Sequence, residues 1–567
     1  MATSDKGVRR PIMRTLEVIR LKKEEIYSIY FFAVIYGLIQ LSIPLGIQMI
    51  VNFIQAYTFS TSLWVLIGLV LLGVLFTGAL QISQMRIIER INQKIFLRYG
   101  MEFAFRIPKM DIKSVDNYYL PELINRFFDT ISVQKGLGKL LIDIPMASIQ
   151  ILFGIILLSL YSSVFIIFGI LLLIILFLIV FFTSKQGLAT SIEESDYKYE
   201  AVGWLEEMAR TFKTFKFSND SSMHIRHSDA LVSKYLVART SHFKVLLTQY
   251  WSLVGFKFLI TAIMLVVGAI LAINNQLNIG QFVAAEIVII MIVASVEKLI
   301  YSLDNIYDVI TSVEKLGKVL DKPLDKDGTI QFDPGTNGVT VKVKDVSFSF
   351  DSNVTVLKDI SFTATAGKKI AVIGHEGAGK SILLRLLTGG YSDYKGSILI
   401  NDIPLYNYRL NSLHAHTGII FNEQDIFNGS LLDNITLGNP SISMQDVTRI
   451  AAITQFDNYL HNLPDGYNTI LDVAGKRLSK SAVQKVLLIR ALIHKPQLLL
   501  LENPWTTFNS ESRARIEEYL LNELSATTAL IVTNDILFAS KCDEIIIMQE
   551  GTIRASGNPQ EMLKYLN

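Results

Sequence analysis

The fold is decided by the stretch Gly374-His375-Glu376-Gly377-Ala378-Gly379-Lys380-Ser381. Its spacing is G-x-x-x-x-G-K-S, in which the glycines allow backbone N–H groups to approach phosphate oxygens closely. A predicted strand at 370–373 precedes the stretch and a predicted helix at 382–387 follows it, so the helix N-terminus adds partial positive charge. We expect Gly374, Gly377 and Gly379 to form a phosphate-binding loop, with Lys380 at the outer phosphates and Ser381 at a Mg²⁺ ion. A chance glycine-rich turn would not have both flanking elements.

The chain around this loop alternates short β-branched runs with helical stretches from about residue 339 onward. The pattern predicts a mixed α/β domain over 339–567 with buried parallel strands. Residues 321–338 contain Pro, Gly and Asp, and we interpret them as a linker. The predicted strands are VTVKVKDVSFSF, KKIAVIG, GSILI, TGII, QLLLL, TALIVT and EIIIM.

The part before the linker is strongly apolar. Hydrophobic residues make up 50% of the 567-residue chain and charged residues 18%, against about 25% charged in soluble domains, and the mean hydropathy is +0.38. No Asp, Glu, Lys or Arg occurs from residue 144 to 184, which is long enough for two membrane helices of about 20 residues each, with a turn at 161–163. We predict an α-helical membrane domain over 25–320, which excludes an ordinary soluble enzyme. The other four predicted spans are about 26–50, 62–85, 250–273 and 279–303.

Charge in the loops indicates how these spans are oriented. The links 51–61, 161–163 and 274–278 have no Lys or Arg, whereas 85–140 and 185–248 are rich in them. By the positive-inside rule the long loops, both termini and the α/β domain are predicted to be cytoplasmic. Residues 1–24 are basic and have no signal-peptide cleavage pattern, so we interpret them as a retained cytoplasmic segment.

The two long loops are predicted to be helical. Residues 85–105 and 193–216 mix charged and apolar side chains at helical spacing, which indicates membrane helices that continue into the cytoplasm. Their predicted tips, 117–129 and 201–211, are the places where a cytoplasmic domain is expected to dock. Net charge +2 gives no general attraction to nucleic acid, and the single Cys542 excludes a disulfide framework or a cysteine-based zinc site.

Three further stretches resemble the ATP-binding cassette (ABC) transporters. Residues 463–492, LPDGYNTILDVAGKRLSKSAVQKVLLIRAL, are similar to the LP-x-GY…LSGGQ…RAL pattern of that family, and 421–435, FNEQDIFNGSLLDNI, look like its loop between cassette and membrane. Residues 276–288, QLNIGQFVAAEIV, resemble the entry to span six in type I secretion exporters. The resemblance covers nearly the whole chain and implies a half-size exporter with six spans and one cassette. The cysteine peptidase that often precedes secretion exporters does not fit, because span one begins near residue 26 and the only cysteine is Cys542.

The resemblance also shows where this sequence departs from the family pattern. Strand 498–501 is followed by Glu502-Asn503-Pro504 where the family has Asp-Glu-Pro. Glu502 keeps the charge of the Mg²⁺-organising Asp on a longer side chain, and Mg²⁺ tolerates distorted geometry poorly. Asn503 stands at the catalytic Glu; an amide holds water but cannot accept its proton, and the loss of a general base costs typically 10²–10⁴-fold. Asn534 stands at the switch histidine.

Other positions of the implied nucleotide site also differ. Asn422 stands at the coupling glutamine, with Gln424 two residues on, and Phe350 stands at the aromatic residue that stacks on adenine. The LSGGQ signature is replaced by 478–482, LSKSA, in which Ser479 is retained and Lys480 replaces a glycine. The Lys480 side chain obstructs close backbone approach to the γ-phosphate, or else offers its ammonium to that phosphate. Smaller departures are Val473 and Asn509, at a Glu and an Asp of the family.

The resemblance implies two functions. The first is a dimeric half-transporter in the bacterial inner membrane that binds Mg-ATP, exports a substrate, and hydrolyses ATP weakly or not at all. A second half-transporter, membrane lipid and a periplasmic adaptor would be its partners. The second function is a scaffold or regulatory subunit that does not transport. Within the spans, Glu286 is a functional candidate or a wet surface group, Lys257 is expected to extend toward the interface, and Pro44 to bend span one.

Overall fold

A computed structural model describes residues 13–15, 23–56, 61–116, 118–218, 222–333, 335, 338–350, 354–422 and 424–565; the side chains of Lys23 and Leu563 are excepted. Most of the predicted segment 1–24 therefore lies outside the described residues. The chain divides into two compact units. A helical unit contains the residues up to Pro108 together with Tyr118–Lys322, and a cassette unit contains Lys109–Asn117 together with Pro323–Asn567.

The helical unit contains long helices. Within the described residues, six segments are long and apolar enough to cross a membrane, as predicted: Glu24–Gln55, Thr61–Lys109, Leu120–Tyr161, Val164–Arg210, Met223–Ile273 and Ile279–Leu320. Their helices are α1 (Lys23–Gln40), α2 (Ser42–Gln55), α3 (Thr61–Arg106), α5 (Leu120–Asn125), α6 (Asp129–Tyr161), α7 (Val164–Arg210), α9 (Met223–Ile273) and α10 (Ile279–Leu320). The short α8 (Phe212–Phe217) lies between the fourth and fifth segments, and α4 (Ile112–Val115) belongs to the cassette unit.

The first span is broken at Leu41, between α1 and α2. Pro44 has no backbone N–H, so the carbonyl of Gln40 loses its helical partner. The predicted bend in span one is therefore confirmed.

The predicted continuation of the helices beyond membrane-spanning length is confirmed, but the tips differ from prediction. The predicted continuations 85–105 and most of 193–216 lie in α3, with 46 residues, and α7, with 47, so each helix is about 70 Å long at 1.5 Å per residue, over twice the hydrocarbon thickness of about 30 Å. The predicted tip 201–211 is wrong: residues 201–210 are the last turns of α7, since charged and apolar residues keep helical spacing there and no proline interrupts them. The chain turns around α8 instead. At the other predicted tip, 117–129, Asn117 lies outside the described residues, and the described segment that packs with the cassette is 109–116.

The cassette unit contains every predicted strand and five more, β2, β5, β7, β8 and β12. Its main sheet has the order β12-β11-β3-β10-β9-β6, parallel except for β12. The second sheet, β2-β1-β4-β5, is antiparallel. The strands are β1 (Val341–Ser349), β2 (Thr355–Ala364), β3 (Lys369–Gly374), β4 (Lys395–Ile400), β5 (Ile403–Pro404), β6 (Thr417–Ile420), β7 (Gly429–Ser430), β8 (Ile470–Leu471), β9 (Leu498–Glu502), β10 (Thr528–Val532), β11 (Glu544–Gln549) and β12 (Thr552–Gly557).

The expectation of parallel strands is wrong for β1 and β4. Buried and more exposed residues alternate along much of β1, as in a sheet with one buried face, whereas β9 and β10 are buried at every position.

The cassette helices are α11 (Lys380–Leu387), α12 (Leu410–His414), α13 (Leu431–Thr436), α14 (Met444–Ile453), α15 (Asp457–Leu460), α16 (Lys480–Leu492), α17 (Ser510–Glu518), α18 (Ile536–Ala539) and α19 (Pro559–Met562).

Neighbouring parallel strands place the candidate residues at one edge of the main sheet. The phosphate-binding loop follows β3, Glu502 ends β9, and Asn534 comes two residues after β10. These three strands are adjacent, and their carboxyl ends meet at the same edge, where ligands of open α/β sheets bind.

Candidate functional site

The predicted phosphate-binding loop joins β3 to α11, which confirms its flanking strand and helix. Gly377 and Gly379 have φ of +78° and +90°, a region that side chains rarely adopt. A Cβ at Gly379 would lie 2.6 Å from Leu357 Cδ2, and one at Gly374 would lie 2.3 Å from the Met548 carbonyl oxygen. The glycines are therefore required by the loop itself.

Lys380 lies folded over this loop. Its Nζ donates to the carbonyl oxygens of Gly374 at 2.7 Å and His375 at 2.8 Å. Burial lowers the pKa of Lys380, and the nearby Glu502 and Glu376 oppose that shift. The ammonium is thus held where an anionic ligand on the loop would meet it.

Ser381, Glu502 and Asn422 form one hydrogen-bonded group beside the loop. Ser381 Oγ donates to Glu502 Oε1 at 2.5 Å, and Asn422 Nδ2 donates to the same oxygen at 2.9 Å. Glu502 is only 5% exposed. Hydroxyl and carboxylate oxygens are the ligands that Mg²⁺ prefers, so the residues present fit that ion.

A cavity of about 370 Å³ brings most of the predicted site residues together. Its carboxylates are Glu376 and Glu502, and its amides are Asn422, Asn503 and Asn534. The described residues that line it are 376–382, Val356, Asn422, Glu502, Asn503, Val532 and Asn534.

Asn503 is held by its backbone. Its φ is +46°, a conformation that asparagine tolerates better than most residues. Its N–H donates to the Val532 carbonyl at 2.9 Å, and its carbonyl accepts from Gln484 Nε2 at 2.8 Å. Our sequence reasoning missed Gln484, which lies in α16 and has no motif of its own that would reveal this contact.

Phe350, Ser479 and Lys480 are not among the residues that line this cavity. The Phe350 ring packs edge-on against Phe348 and Tyr391, with centroid distances of 5.2 and 5.8 Å. Ser479 caps α16 by accepting from the Ala482 N–H at 3.1 Å, and both Ser479 and Lys480 are exposed. A single chain therefore does not bring the predicted signature to its own phosphate-binding loop.

The segment 109–116 contacts the rest of the cassette unit through residues that sequence reasoning missed. Lys113 Nζ pairs with Asp393 Oδ2 at 2.7 Å, and the Tyr391 hydroxyl donates to Asp116 Oδ2 at 3.0 Å. Burial and the Asp116 carboxylate raise the pKa of Tyr391 to about 12. A Cβ at Gly390 would lie 2.9 Å from Ile112 Cδ1. Tyr391 thus contacts both Phe350 and this segment.

Lys257 and Glu286, the two charged candidates within the spans, have different surroundings. Lys257 does not merely extend toward the interface: its Nζ pairs with Glu297 Oε2 at 2.5 Å. Glu286 Oε2 is buried and has no hydrogen-bond partner among the described residues.

Comparison with known proteins identifies both parts of the chain. The family of ABC transporter transmembrane regions matches residues 26–296, and the ABC transporter family matches residues 357–506. The chain is 28% identical over 368 residues to the alpha-hemolysin translocation ATP-binding protein HlyB of Escherichia coli O157:H7, covering 64% of this chain and 52% of that protein. It is 30% identical over 299 residues to the uncharacterized ABC transporter ATP-binding protein YknU of Bacillus subtilis, covering 52% and 51%. The matches thus span about half the length of these relatives.

A solved structure shares the fold. The structure of a bacterial Atm1-family ABC exporter with ATP bound superposes with a TM-score of 0.83, covers 96% of each chain, and is 18% identical in sequence.

Proposed function

The chain belongs to the ABC transporters, with a transmembrane region followed by a cassette, and from that premise we propose that it forms half of a dimeric exporter that binds Mg-ATP but hydrolyses it slowly or not at all. The observation that carries the proposal is the composition of the cavity at the phosphate-binding loop. The loop has its full pattern, whereas amides occupy the positions of two catalytic groups.

Nucleotide binding is assigned to the loop and its neighbours. Gly374, Gly377 and Gly379 expose backbone N–H groups to phosphate oxygens, and Lys380 adds positive charge. Phe350 is assigned to the base because it keeps an aromatic face. Ser381 and Glu502 would hold Mg²⁺, whose chemistry there is neutralisation of phosphate charge.

Weak hydrolysis is expected from the other side chains that line the cavity. Asn503 can hold a water molecule by hydrogen bonds, but it cannot take the proton of that water. Asn534 likewise cannot carry a proton as a histidine can. Glu502 is the nearest buried carboxylate, and its Oε1 already accepts from Ser381 and Asn422. The lining side chains at the positions of the catalytic Glu and the switch His are therefore amides, which cannot act as a general base.

Dimerisation would complete each site with the partner's signature segment. Ser479 would contribute its hydroxyl and Lys480 its ammonium to a phosphate on the other chain. Lys480 also removes the close backbone approach that a glycine allows. The same chain thus alters both halves of the composite site, so a homodimer would have no unaltered site.

We infer that the protein lies in a bacterial inner membrane with both termini and the cassette in the cytoplasm, because the lysines and arginines collect in the long loops. The resemblance of residues 276–288 to type I secretion exporters suggests a periplasmic adaptor as a partner, and membrane lipid would surround the exposed apolar faces of the spans. The domain limits that go with this proposal are 1–24, 25–320, 321–338 and 339–567.

The alternative function is a scaffold or regulatory subunit that keeps the fold and uses nucleotide as a structural ligand. The joint alteration of Asn503, Asn534 and Lys480 favours it, because one substitution alone would leave a partner able to compensate. An exporter changes the spacing of its membrane halves when nucleotide binds, whereas a scaffold does not. Spin labels at Gln276 in the two subunits, measured with and without ATP, distinguish the two functions.

The test of the main proposal is nucleotide affinity and phosphate release on the purified protein in lipid nanodiscs. We expect saturable Mg-ATP binding with phosphate release near background over hours. Release at about 1 s⁻¹, ordinary for an enzyme, would contradict the assignment of Asn503 and Asn534. Absence of saturable binding would contradict the assignment of the loop.

A further inference from the structure

Glu286 is the only charged side chain in a large part of the membrane unit. The stretches 26–85, 144–184 and 258–296 contain no other Asp, Glu, Lys, Arg or His. These stretches contain the ends of the six spans that face the short loops 51–61, 161–163 and 274–278. Glu286 lies seven residues into α10, about 10 Å from its short-loop end.

The nearest charges along the spans lie at a different depth. Lys257 is 16 residues from the end of α9, and Glu297 is 18 residues from the start of α10, which places both about 24–27 Å from the short-loop ends. They pair with each other at 2.5 Å. At a similar depth Lys298 pairs with Asp143 at 2.8 Å. Both cations are therefore engaged, about 16 Å away from Glu286 along the helices.

Glu286 lies on the side of α10 that contacts α9. Phe282 of α10 closely approaches Gly268 of α9, where an added Cβ would lie 2.8 Å from the Phe282 ring. Glu297 and Tyr301 contact Lys257 and Tyr250 on the same side. Glu286 lies four residues after Phe282 and eleven before Glu297, a spacing that places all three on one side of α10. Residues 258–268 of α9 are all uncharged.

The carboxyl group of Glu286 is partly enclosed. Its Oε2 is buried without a hydrogen-bond partner among the described residues, while the residue as a whole is half-buried. Burial of a carboxylate without a partner is costly, and acidic residues in membrane spans accordingly mark functional sites. Since part of the side chain remains accessible, a ligand can reach the group.

A second copy of the chain cannot supply the missing charge. Its short-loop ends have the same sequence, and thus contain no Lys, Arg or His at the same depth. A cation paired with the carboxylate would therefore come from outside a homodimer.

We propose that Glu286 binds the cationic group of an organic ligand, an ammonium, guanidinium or phosphonium, inside the membrane unit. This inference rests on the proposed exporter function and names the charge class of its substrate. The carboxylate would pair with the cation in a low-dielectric environment, where a charge pair is strong.

The test uses two probes of nearly equal size and opposite charge, tetraphenylphosphonium and tetraphenylborate. Equilibrium dialysis measures their binding to the full chain in phosphatidylcholine nanodiscs, with empty nanodiscs as the background. The variants are Glu286→Gln, which keeps the shape and removes the charge, Glu286→Asp, which keeps the charge, and Glu193→Gln, the same change on the exposed surface of α7.

We expect saturable binding of the phosphonium to the unaltered protein and an affinity about tenfold lower in Glu286→Gln, as for the loss of one charge pair. Glu286→Asp and Glu193→Gln retain the binding, and borate binding does not fall in any variant. Equal phosphonium binding by the unaltered protein and Glu286→Gln would overturn the inference. Binding no greater than in empty nanodiscs would also overturn it, because the carboxyl group would then bind no organic cation.

Nucleotide titration of the same samples separates this inference from the proposed function. Glu286→Gln leaves Mg-ATP affinity unchanged, because the variant lies outside the cassette. Lost nucleotide binding in every sample would refute the proposed function, whereas lost phosphonium binding with normal nucleotide binding would refute only the assignment of Glu286.

Discussion

The two sides of the nucleotide cavity differ in what their residues can do. On one side, the glycines and Lys380 form a complete phosphate-binding loop whose backbone geometry requires those glycines. On the other side, Asn503 and Asn534 line the cavity with amides. The backbone N–H groups of the loop suit phosphate binding, whereas an amide side chain cannot accept a proton, so the proposal of binding with slow hydrolysis rests on this difference.

The largest effect is expected on the binding side, from Lys380→Ala. Loss of the ammonium removes a charged contact to the phosphates, and ATP affinity falls about 100-fold. Fluorescence titration with a labelled ATP measures the change. Lys368→Ala, which removes an exposed lysine paired with Asp543 at 2.9 Å, is the matched control and leaves affinity unchanged. Equal affinity in both variants would refute the assignment of the loop.

The next effect concerns the other side of the cavity, through Asn503→Glu combined with Lys480→Gly. The first change supplies a carboxylate that accepts a proton, and the second restores close backbone approach. Phosphate release then rises by at most about 10²-fold, the lower end of the usual contribution of a general base, because Asn534 stays an amide. Asn503→Gln combined with Lys480→Gly keeps the amide and serves as the control. An equal rise in the control would show that Asn503 does not limit hydrolysis.

A smaller effect is expected where the two sides meet, from Ser381→Ala. The hydroxyl donates to Glu502 at 2.5 Å and is assigned to Mg²⁺. Its loss lowers the Mg²⁺-dependent part of ATP affinity about tenfold, while affinity in EDTA stays unchanged. Ser397→Ala, outside the cavity, is the control. An equal loss in EDTA would mean that Ser381 acts on the nucleotide without a metal.

The smallest effect is expected from Tyr391→Phe, at the tyrosine that packs against Phe350, the residue assigned to the nucleotide base. The change removes the hydrogen bond to Asp116 and leaves the ring against Phe350. A typical intramolecular hydrogen bond contributes about 1 kcal/mol, so amide hydrogen exchange at 112–115 becomes about fivefold faster. Tyr406→Phe, at an exposed tyrosine, is the control. Unchanged exchange would show that the bond does not hold this segment.

Features that depend on residues close together in the sequence were predictable. The loop at 374–381 and the boundaries at 161–163 and 274–278 follow from local spacing and from runs of apolar residues. Residues that act through packing were not. Gln484 reaches Asn503 over 19 residues of chain, and Tyr391 reaches Asp116 over 275. No periodicity links such positions, since their approach depends on how strands and helices pack.

The sequence by itself determined six apolar spans, a phosphate-binding loop between strand and helix, and the presence of amides at 503 and 534. Each follows from the chemistry of neighbouring residues. Only the tertiary structure decided that β1 and β4 form a separate antiparallel sheet, that the chain turns at α8 and not at 201–211, and that Lys257 pairs with Glu297 while Glu286 Oε2 has no partner among the described residues. The physical reason is that strand pairing and ion pairing join distant parts of the chain, and packing selects those partners.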